Sequence, residues 1–580
     1  MRYQRTTGFW LTGVIAAVSL GLVALPSPNT AMADPSTTQT THVDCSSSAS
    51  GDGSIDHPVN GVDKLDKAFG PGKRVLFKRG TTCRGTVVVN ASGTNHARTL
   101  IGAYGQGKAP ILDAQGSATN QRSVIEVDDR SHITIQDLTV RNGWFSNISV
   151  EAHNGHVMEG ITVQRVAVEE NAWKGGPNKV TDNFWVMGVG GVIVMPCSAR
   201  SAIKDVVIDQ VEASRQHYAG VQVGYHQLHP WSDYEKGIKR DGYMVPTCFD
   251  QESKPYPHVS PVTGIQNAVI SNSSLHDNDA MGAGIFGATD VLLRNNDLYR
   301  NGSGIGNPGN TMNGTGAWWD TTRHVTAEWN NAWGNRVGYR GQDGTGLDAD
   351  RNTKNSIIQN NYLHDNGGYG ASVIAAYGDA SATIRHNLMV DNGTHDPDRS
   401  SDIMISSYSS PTEDGRSVTG QVSGLWIYGN TIHRDQGKGN APGIRLQSRY
   451  RPNTAISIVN NIVNRPGRGG IYSFQPTDAA EVDMVRGNLV STDGTFARTQ
   501  DVEGRPTFLS TARDNMNWPK GDSFRLAATS LGARNAVGYD NATLPGKAPT
   551  ARGATDLWGT TIPEKSGFAI GADVAPGKAA

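Results

Sequence analysis

The C-terminal half of the chain repeats one short pattern: a roughly alternating, β-branched run that ends at an asparagine, with an apolar residue soon after it. Seven segments share this pattern, and their asparagines recur every 26 to 43 residues at Asn296, Asn330, Asn361, Asn387, Asn430, Asn461 and Asn488. The alternation favours strands, because none of these segments offers about ten residues with helical spacing. Repeats of this length are typical of stacked units, so the pattern predicts a parallel β-solenoid.

The repeated asparagines themselves predict a ladder. Stacking places equivalent side chains about 4.8 Å apart. Asparagines at that spacing can pass amide hydrogen bonds from coil to coil and satisfy turn groups that would otherwise be buried without a partner. A second polar residue often follows five positions later, at Asn301, Asn335, Asn366, Asn392 and Asp435. We interpret the ladder as structural and assign it no catalytic role.

These repeats resemble those of the right-handed parallel β-helix proteins, the pectate-lyase-like superfamily. Weaker copies at Val163–Val166, Ile208–Val211 and Ile270–Ser273 keep the register upstream. The resemblance spans Asp44 to Leu489 and implies an all-β fold. It also implies that Val59–Phe69, which has the apolar spacing of a short helix, forms an N-terminal helical cap.

The resemblance and the ends of the chain predict three parts. Residues 1–33 have the features of a signal peptide, with Arg2 and Arg5 before an apolar stretch and an A-x-A site that predicts cleavage after Ala33. A retained N-terminal anchor is the alternative. The β-helix is expected over residues 34–490, and closing strands with a tail over residues 491–580. No other stretch approaches the length needed to span a bilayer.

Four cysteines in an exported chain predict two disulfides. Proximity in sequence favours Cys45 with Cys83 and Cys197 with Cys248, although three pairings are possible. Zinc is the weaker interpretation, because neither C-x2-C nor H-x3-H spacing occurs. The formal charge of −2 argues against nucleic acid or an anionic membrane as the main partner.

A long interruption of the repeat, at about residues 225–261, predicts a loop insertion. It carries several aromatic residues, among them Trp231, which could wall a groove and stack against sugar rings. Packing of these aromatics onto the flank of the solenoid is the alternative.

Candidate chemistry lies in the strand before each ladder segment. Aligning these strands on their glycines, as in Gly316–Asp320 and Gly346–Asp350, produces two outward columns. One contains Trp318, Asp348, Ser372, Arg445 and Tyr472, and the next contains Asp320, Asp350 and Gln447. Asp402 would fit beside Ser372 only with a register shift of one residue.

The aspartates of these columns predict an acid–base centre. Asp348 and Asp350 share one face about 6.7 Å apart, and Asp320 lies one coil away at about 4.8 Å. Such crowding raises at least one pKa and could serve either a retaining or an inverting glycosidase. Asp343 on the entering loop and His364 on a neighbouring turn are further catalytic candidates.

The same residues permit a calcium site. Asp343, Asp348 and Asp350 could supply several of the oxygens that Ca²⁺ takes. Lyases of the superfamily pair such a metal with an Arg or Lys that removes the proton α to a uronate, and Arg445 in the outward column, or a nearby base, is the candidate here. Arg340 lies near the cluster, and Trp318 is a candidate platform for sugar stacking. The motifs of the superfamily's lyases and polygalacturonases are not matched closely.

The sequence thus favours a secreted enzyme that degrades an extracellular or cell-wall polysaccharide, with glycoside hydrolysis by paired aspartates and no required cofactor. A calcium-dependent lyase acting on a uronate-containing polymer is the second interpretation. The third is a non-catalytic carbohydrate-binding solenoid, because fold does not establish function.

Overall fold

The chain winds into a right-handed parallel β-helix with three sheets, as seen in a computed structural model. The structure describes residues 39–173, 188–197, 200–224, 264–302, 314–338, 343–376, 378–397, 400–411, 417–439, 441–448, 454–464, 471–473, 482–491, 501–513, 518, 523–536, 555–562 and 569–574. Each full coil contributes one strand to sheet A, one to sheet B and one to sheet C, in that order along the chain. The predicted all-β solenoid is therefore confirmed.

The three sheets consist of short parallel strands in chain order. Sheet A contains Thr40–Val43, Arg74–Lys78, Thr99–Tyr104, Ile133–Gln136, Val157–Gln164, Ala202–Asp209, Ile265–Ser271, Ala288–Arg294, Arg323–Glu328, Ser356–Gln359, Ala380–Arg385, Val422–Tyr428, Thr454–Val459 and Val482–Arg486. Sheet B contains Thr82–Arg84, Ile111–Asp113, Thr139–Arg141, Ala167–Val168, Glu212–Ser214, Ser274–His276, Asp297–Tyr299, Asn331–Trp333, Tyr362–His364, Leu388–Val390, Thr431–His433, Ile462–Asn464, Leu489–Ser491 and Val502–Glu503. Sheet C contains Val87–Val89, Ile125–Asp128, Ser146–Ala152, Gly190–Pro196, Ala219–Gly224, Met281–Phe286, Thr315–Asp320, Thr345–Ala349, Ala371–Ala375, Ile403–Ser407, Ile444–Ser448 and Ile471–Ser473. A separate antiparallel hairpin pairs Ser409–Pro411 with Ser417–Thr419.

The predicted N-terminal helical cap is wrong. Within Val59–Phe69 the structure has a single 3-10 turn, Val62–Lys64. The segment cannot begin as a helix because Val59 is already extended: its N–H donates to the carbonyl of His42 (3.0 Å), and its own carbonyl accepts from the N–H of Asp44 (2.8 Å). The solenoid thus begins with the strand Thr40–Val43, ahead of the predicted cap.

The asparagine ladder is confirmed along its whole predicted length. The side-chain amide of each asparagine donates to the Oδ1 atom of the next, at 2.9 to 3.0 Å, from Asn296 to Asn488. The ladder ends when Asn488 donates to Asp501 at 3.0 Å. All seven asparagines are buried, so each amide satisfies groups that water cannot reach.

A second ladder runs parallel to the first between sheets B and C. It links Asn278, Asn301, Asn335, Asn366 and Asn392 by amide bonds of 2.9 to 3.0 Å. Asp402, not Asp435, accepts the last of these bonds, from Asn392 at 3.1 Å. Both ladders therefore end on a carboxylate, which accepts hydrogen bonds without needing a further acceptor for itself.

Of the two predicted disulfides, Cys45–Cys83 is confirmed, with the two Cα atoms 5.2 Å apart. Cys197 is also disulfide-bonded. Its pairing with Cys248 stays a prediction, because Cys248 lies outside the described residues. The predicted signal peptide lies outside them as well. Within the described part of the chain, no helix is long and apolar enough to cross a membrane.

The described residues beyond Asp501 pack along the flank of the solenoid. The buried side chains of Phe524 and Leu557 contact Tyr362 and Leu388 on the outer side of sheet B. The amide of Asn360 donates to the carbonyl of Asp556 at 2.9 Å. This segment reaches back several coils from the end of the ladder, which sequence proximity alone did not predict.

Candidate active site

The register of sheet C assembles the predicted column. Trp318 pairs with Asp348, and Asp348 pairs with Ser372 on the next coil. The column continues through Met404 to Arg445. The shifted register that would place Asp402 beside Ser372 is wrong, because Ala371 pairs with Ile403 and Met404 takes that place.

Asp348 lies in an environment that favours the neutral acid. The side chain is only 4% exposed, and the hydroxyl of Ser372 donates to its Oδ1 atom. Burial raises its pKa well above the usual range, and the nearby carboxylates of Asp350 and Asp343 raise it further. Ser372 and Arg351 oppose the shift, but they do not outweigh burial.

Asp350 lies in the opposite environment, at the turn where the chain leaves sheet C. The backbone N–H of Arg351 donates to Oδ1 at 2.8 Å, and the Arg351 guanidinium lies 3.2 Å from Oδ2. Thr353 closes the turn by donating to the carbonyl of Asp350 at 2.6 Å. The cation stabilises negative charge on Asp350. Two neighbouring carboxyl groups are thus held under contrasting electrostatic conditions.

The other two predicted aspartates flank this pair. Asp320 is fully buried at the end of the preceding strand of sheet C, where it pairs with Phe286. Asp343 lies at the entrance to the strand Thr345–Ala349, with a left-handed φ of 60° and a bridge to Val337. The charge of Asp343 contributes to the raised pKa of Asp348. The structure therefore brings all four predicted aspartates to one region.

An aromatic cluster borders the aspartates on the preceding coils of sheet C. It consists of Trp144, Phe145, Tyr218, Phe286 and Trp318 with neighbouring apolar side chains. Phe286 and Trp318 meet edge to face at 4.9 Å, and the ring of Phe286 folds over Gly284, where a Cβ would lie 2.7 Å from it. The sequence reasoning missed Phe286, although the glycine alignment extended by one coil would have placed it beside Asp320.

Trp318 is less open than a stacking platform would be. It is 7% exposed, and the guanidinium of Arg351 lies 5.8 Å from the centre of its ring. Its neighbour Trp319 points into the core and donates from Nε1 to Ser356 at 3.0 Å. Burial raises the pKa of the Tyr218 phenol, which also responds to the charges of Arg351 and Asp320. Tyr218 therefore connects the aromatic cluster to the aspartates.

Two further groups, Tyr369 and Arg445, lie on the C-terminal side of Asp348. Burial raises the pKa of Tyr369 to about 12, with Tyr408, Asp343 and Asp348 adding to the shift and Arg445 opposing it. Arg445 itself is half-buried, three coils from Asp348 in the same column. The structure thus keeps Arg445 in the predicted outward column, where its charge acts on Tyr369.

His364 is not brought to the aspartates. It lies in the strand Tyr362–His364 of sheet B, fully buried, with Nδ1 2.8 Å from Asp365 and Nε2 3.2 Å from Asn331. Burial lowers its pKa. Its partner Asp365 accepts from Arg513 of the C-terminal segment at 2.8 Å. These contacts describe a structural centre on another face of the solenoid. Arg340 and Trp231 lie outside the described residues.

The positions of the acidic side chains test whether the aspartates could form a calcium site. Among the described residues, the set that could hold a metal with its ligand atoms within 4.8 Å of one another is Glu151, His153 and Cys197. The aspartates Asp343, Asp348 and Asp350 do not converge to that degree. Since Cys197 is disulfide-bonded, its sulfur is not a thiolate ligand. The first set is compact but lacks a thiolate, and the aspartate set is not compact.

A comparison with protein families matches residues 262–432 to the family described as the right handed beta helix region. That segment contains the whole aspartate cluster and the first five ladder asparagines, from Asn296 to Asn430. No curated protein matches the sequence.

Several solved structures are similar to the chain. The GH136 lacto-N-biosidase from Eubacterium ramulus is 16% identical over 75% of this chain and 68% of its own, with a TM-score of 0.45. XylC in complex with xylose is 9% identical over 93% and 99%, with a TM-score of 0.49. Pectate lyase Pel9A is 13% identical over 93% and 98%, with a TM-score of 0.38. By their names these include a biosidase and a lyase, so the likeness does not distinguish between reactions.

Proposed function

We propose that this protein is an exported glycoside hydrolase that cleaves an extracellular or cell-wall polysaccharide on the outer face of sheet C. The observation that carries the proposal is the contrast between Asp348 and Asp350. A pair of carboxyl groups whose environments push their protonation in opposite directions is the arrangement that acid–base catalysis requires.

In this mechanism Asp348 is the general acid. Its raised pKa favours the protonated form, so it can donate a proton to the glycosidic oxygen as the C1–O bond breaks. Asp350, held as an anion by Arg351, either activates the attacking water or attacks C1 itself. Water supplies the hydroxyl of one product and the proton that restores the acid.

Burial selects Asp350 over Asp320 as the partner of Asp348. Asp348 and Asp350 keep exposed fractions of 4% and 7%, whereas Asp320 is completely buried. A group that touches substrate must be reachable, so Asp320 acts through its charge on the neighbouring groups. Ser372, which is also fully buried, positions Asp348 by its hydrogen bond.

The test compares Asp348→Asn and Asp350→Asn with Asp290→Asn, a change at an exposed aspartate on sheet A that pairs with His324. Each variant is assayed on neutral and acidic polysaccharides for new reducing ends. We expect the two active-site changes to lower kcat by at least about a hundredfold, while Asp290→Asn keeps full turnover. Full turnover by Asp348→Asn on every substrate that the parent cleaves would refute the assignment.

A calcium-dependent lyase remains a second proposal, because Arg445 lies in the same outward column as Asp348 and could serve a uronate substrate. It predicts ultraviolet absorbance from unsaturated uronates together with the reducing ends, both lost on chelation and restored by Ca²⁺. Hydrolysis predicts reducing ends without that absorbance and no effect of chelation. Sugar binding without turnover in any assay would favour the binding solenoid.

A further inference from the structure

A cleft of about 370 Å³ opens on the outer face of sheet A, away from the aspartates. Its volume falls within the range of pockets that hold small ligands. Seven residues line it: Val269, Ser271, Asn272, Leu292, Arg294, Asn295 and Trp329. They come from three consecutive coils, so the cleft is a product of stacking.

The register of sheet A builds the floor and one side. Val269 pairs with Leu292, which forms an apolar floor, and Ser271 pairs with Arg294 two positions further along. The other side is made where the chain turns from sheet A to sheet B. Asn272, Asn295 and Trp329 occupy that turn on successive coils, with left-handed φ values of 51°, 60° and 57°.

The polar groups of the cleft are held in place by each other. Asp209 accepts from the Ser271 hydroxyl at 2.7 Å and from the Asn272 amide at 2.6 Å. Asn295 donates to the Oδ1 atom of Asn272 at 2.7 Å. The Arg294 guanidinium lies 3.4 Å from Glu328. Arg294 is the one charged residue among the described residues of the lining, and it is paired with Glu328, so the lining residues offer no unpaired charge to select a charged ligand.

Trp329 supplies the aromatic surface. Its ring lines the cleft and is half-buried, and it packs against Trp518 of the C-terminal segment with the ring centroids 6.2 Å apart. An indole offers a large apolar face at low entropic cost. Side-chain amides and a guanidinium beside it offer hydrogen bonds in fixed directions. A pyranose ring presents the matching combination of an apolar face and a rim of hydroxyls.

We propose that this Trp329 cleft is a second, non-catalytic binding site for a neutral sugar ring of a polysaccharide. The inference goes beyond the proposed hydrolysis, because the cleft lies on sheet A and the aspartates lie on sheet C of the same solenoid. Its role is to hold a polymer while another part of that polymer, or another chain, meets the aspartates.

The test uses the full chain carrying Asp348→Asn, so that a bound polymer stays intact. Leu292→Arg places a long cationic side chain on the floor of the cleft. Ile357→Arg is the matched control, because Ile357 is half-buried in the same outward column two coils further on and does not line the cleft. Trp329→Ala is a supporting variant, since it also removes the contact with Trp518.

Binding is measured by affinity electrophoresis in gels containing neutral polysaccharides such as xylan, galactan, mannan or β-glucan. We expect at least one to retard the Asp348→Asn protein, and Leu292→Arg to weaken that binding by about tenfold or more. Ile357→Arg should bind as its parent does. Retention of full binding by Leu292→Arg, or no retardation by any of these polymers, overturns the proposal.

The outcomes separate this site from the candidate active site. In the chain with Asp348 intact, Leu292→Arg should slow the hydrolysis of polymers while leaving kcat on short oligosaccharides unchanged. If binding depends on Leu292 but no substrate is ever cleaved, the cleft stands and the hydrolase fails. If cleavage depends on Asp348 but binding does not depend on Leu292, the hydrolase proposal is supported and the cleft proposal fails.

Discussion

Removing one rung from the middle of the asparagine ladder should destabilise the solenoid far more than an average polar substitution. In the Asn361→Ala variant, four hydrogen bonds disappear. The Oδ1 atom of Asn361 accepts from the backbone N–H and the side-chain amide of Asn330, at 2.9 and 3.0 Å. Its own amide donates to the carbonyl of Ala327 and to Asn387, both at 2.9 Å.

The magnitude follows from the groups left behind. Two donors of Asn330 lose their acceptor at a position where both residues are fully buried. An unsatisfied buried polar group costs about 1 to 3 kcal/mol, so the two donors together cost about 2 to 6 kcal/mol. Asn387 still accepts from the backbone N–H of Asn361 at 2.9 Å and adds little. We therefore expect a loss of about 4 kcal/mol in the free energy of unfolding, the middle of that range.

The assay is urea unfolding followed by tryptophan fluorescence, combined with hydrogen exchange at the amide of Asn330. The control is Asn90→Ala, which removes one exposed hydrogen bond to the carbonyl of Asp66 and should cost less than about 1 kcal/mol. Because solenoid coils contact only their neighbours, the exchange should rise first in the coils next to Asn361. A loss no larger than that of Asn90→Ala would refute the reasoning.

Three further predictions concern charged groups. Ser372→Ala should move the basic limb of the pH–activity profile to higher pH, because the Ser372 hydrogen bond lowers the pKa of Asp348. Asp343→Asn should move that limb to lower pH, because the charge of Asp343 raises the same pKa. Shifts in the same direction would contradict the assignment of Asp348 as the acid. Arg513→Gln should lower the free energy of unfolding by about 3 to 5 kcal/mol at pH 8, because Asp365 and Asp391 lose their cation. Burial raises the pKa of Asp391 to about 6, so Asp391 can become neutral at lower pH. Urea titrations should therefore show a smaller loss of stability at pH 5 than at pH 8. Although Asp128 is exposed, partial desolvation followed by the charges of Glu151 and Glu126 raises its pKa to about 6. Glu151→Gln should therefore lower the midpoint of Asp128 in a carboxyl NMR titration, and an unchanged midpoint would exclude that coupling.

Local patterns were enough to predict the repeating part of the molecule. The ladder from Asn296 to Asn488 and the column of Trp318, Asp348 and Ser372 were both readable, because each depends on one residue recurring at one place in a coil. Strand alternation has a period of two, so an alignment on glycine also settles which side chains share a face. The crowding of the aspartates followed from that register.

Segments outside the repeat were beyond such reasoning. The cap helix failed because Val59 pairs with the chain around Val43. The place of Asp402 stayed open because its carboxylate closes the second ladder. Neither contact leaves a trace in local periodicity, since a backbone bridge or a ladder end can be formed by many residue types.

The sequence by itself determined that this chain is a parallel β-solenoid with buried asparagine ladders and a row of carboxyl groups on one sheet. Only the tertiary structure decided that burial raises the pKa of Asp348 beside an Asp350 paired with Arg351, that Tyr218 comes within reach of the charge of Asp320 from far upstream, and that Arg513 joins aspartates more than a hundred residues earlier. Burial and charge depend on everything that surrounds a group in space. A pattern along the chain specifies which residues recur, whereas the dielectric and the partners of each side chain exist only once the coils are stacked.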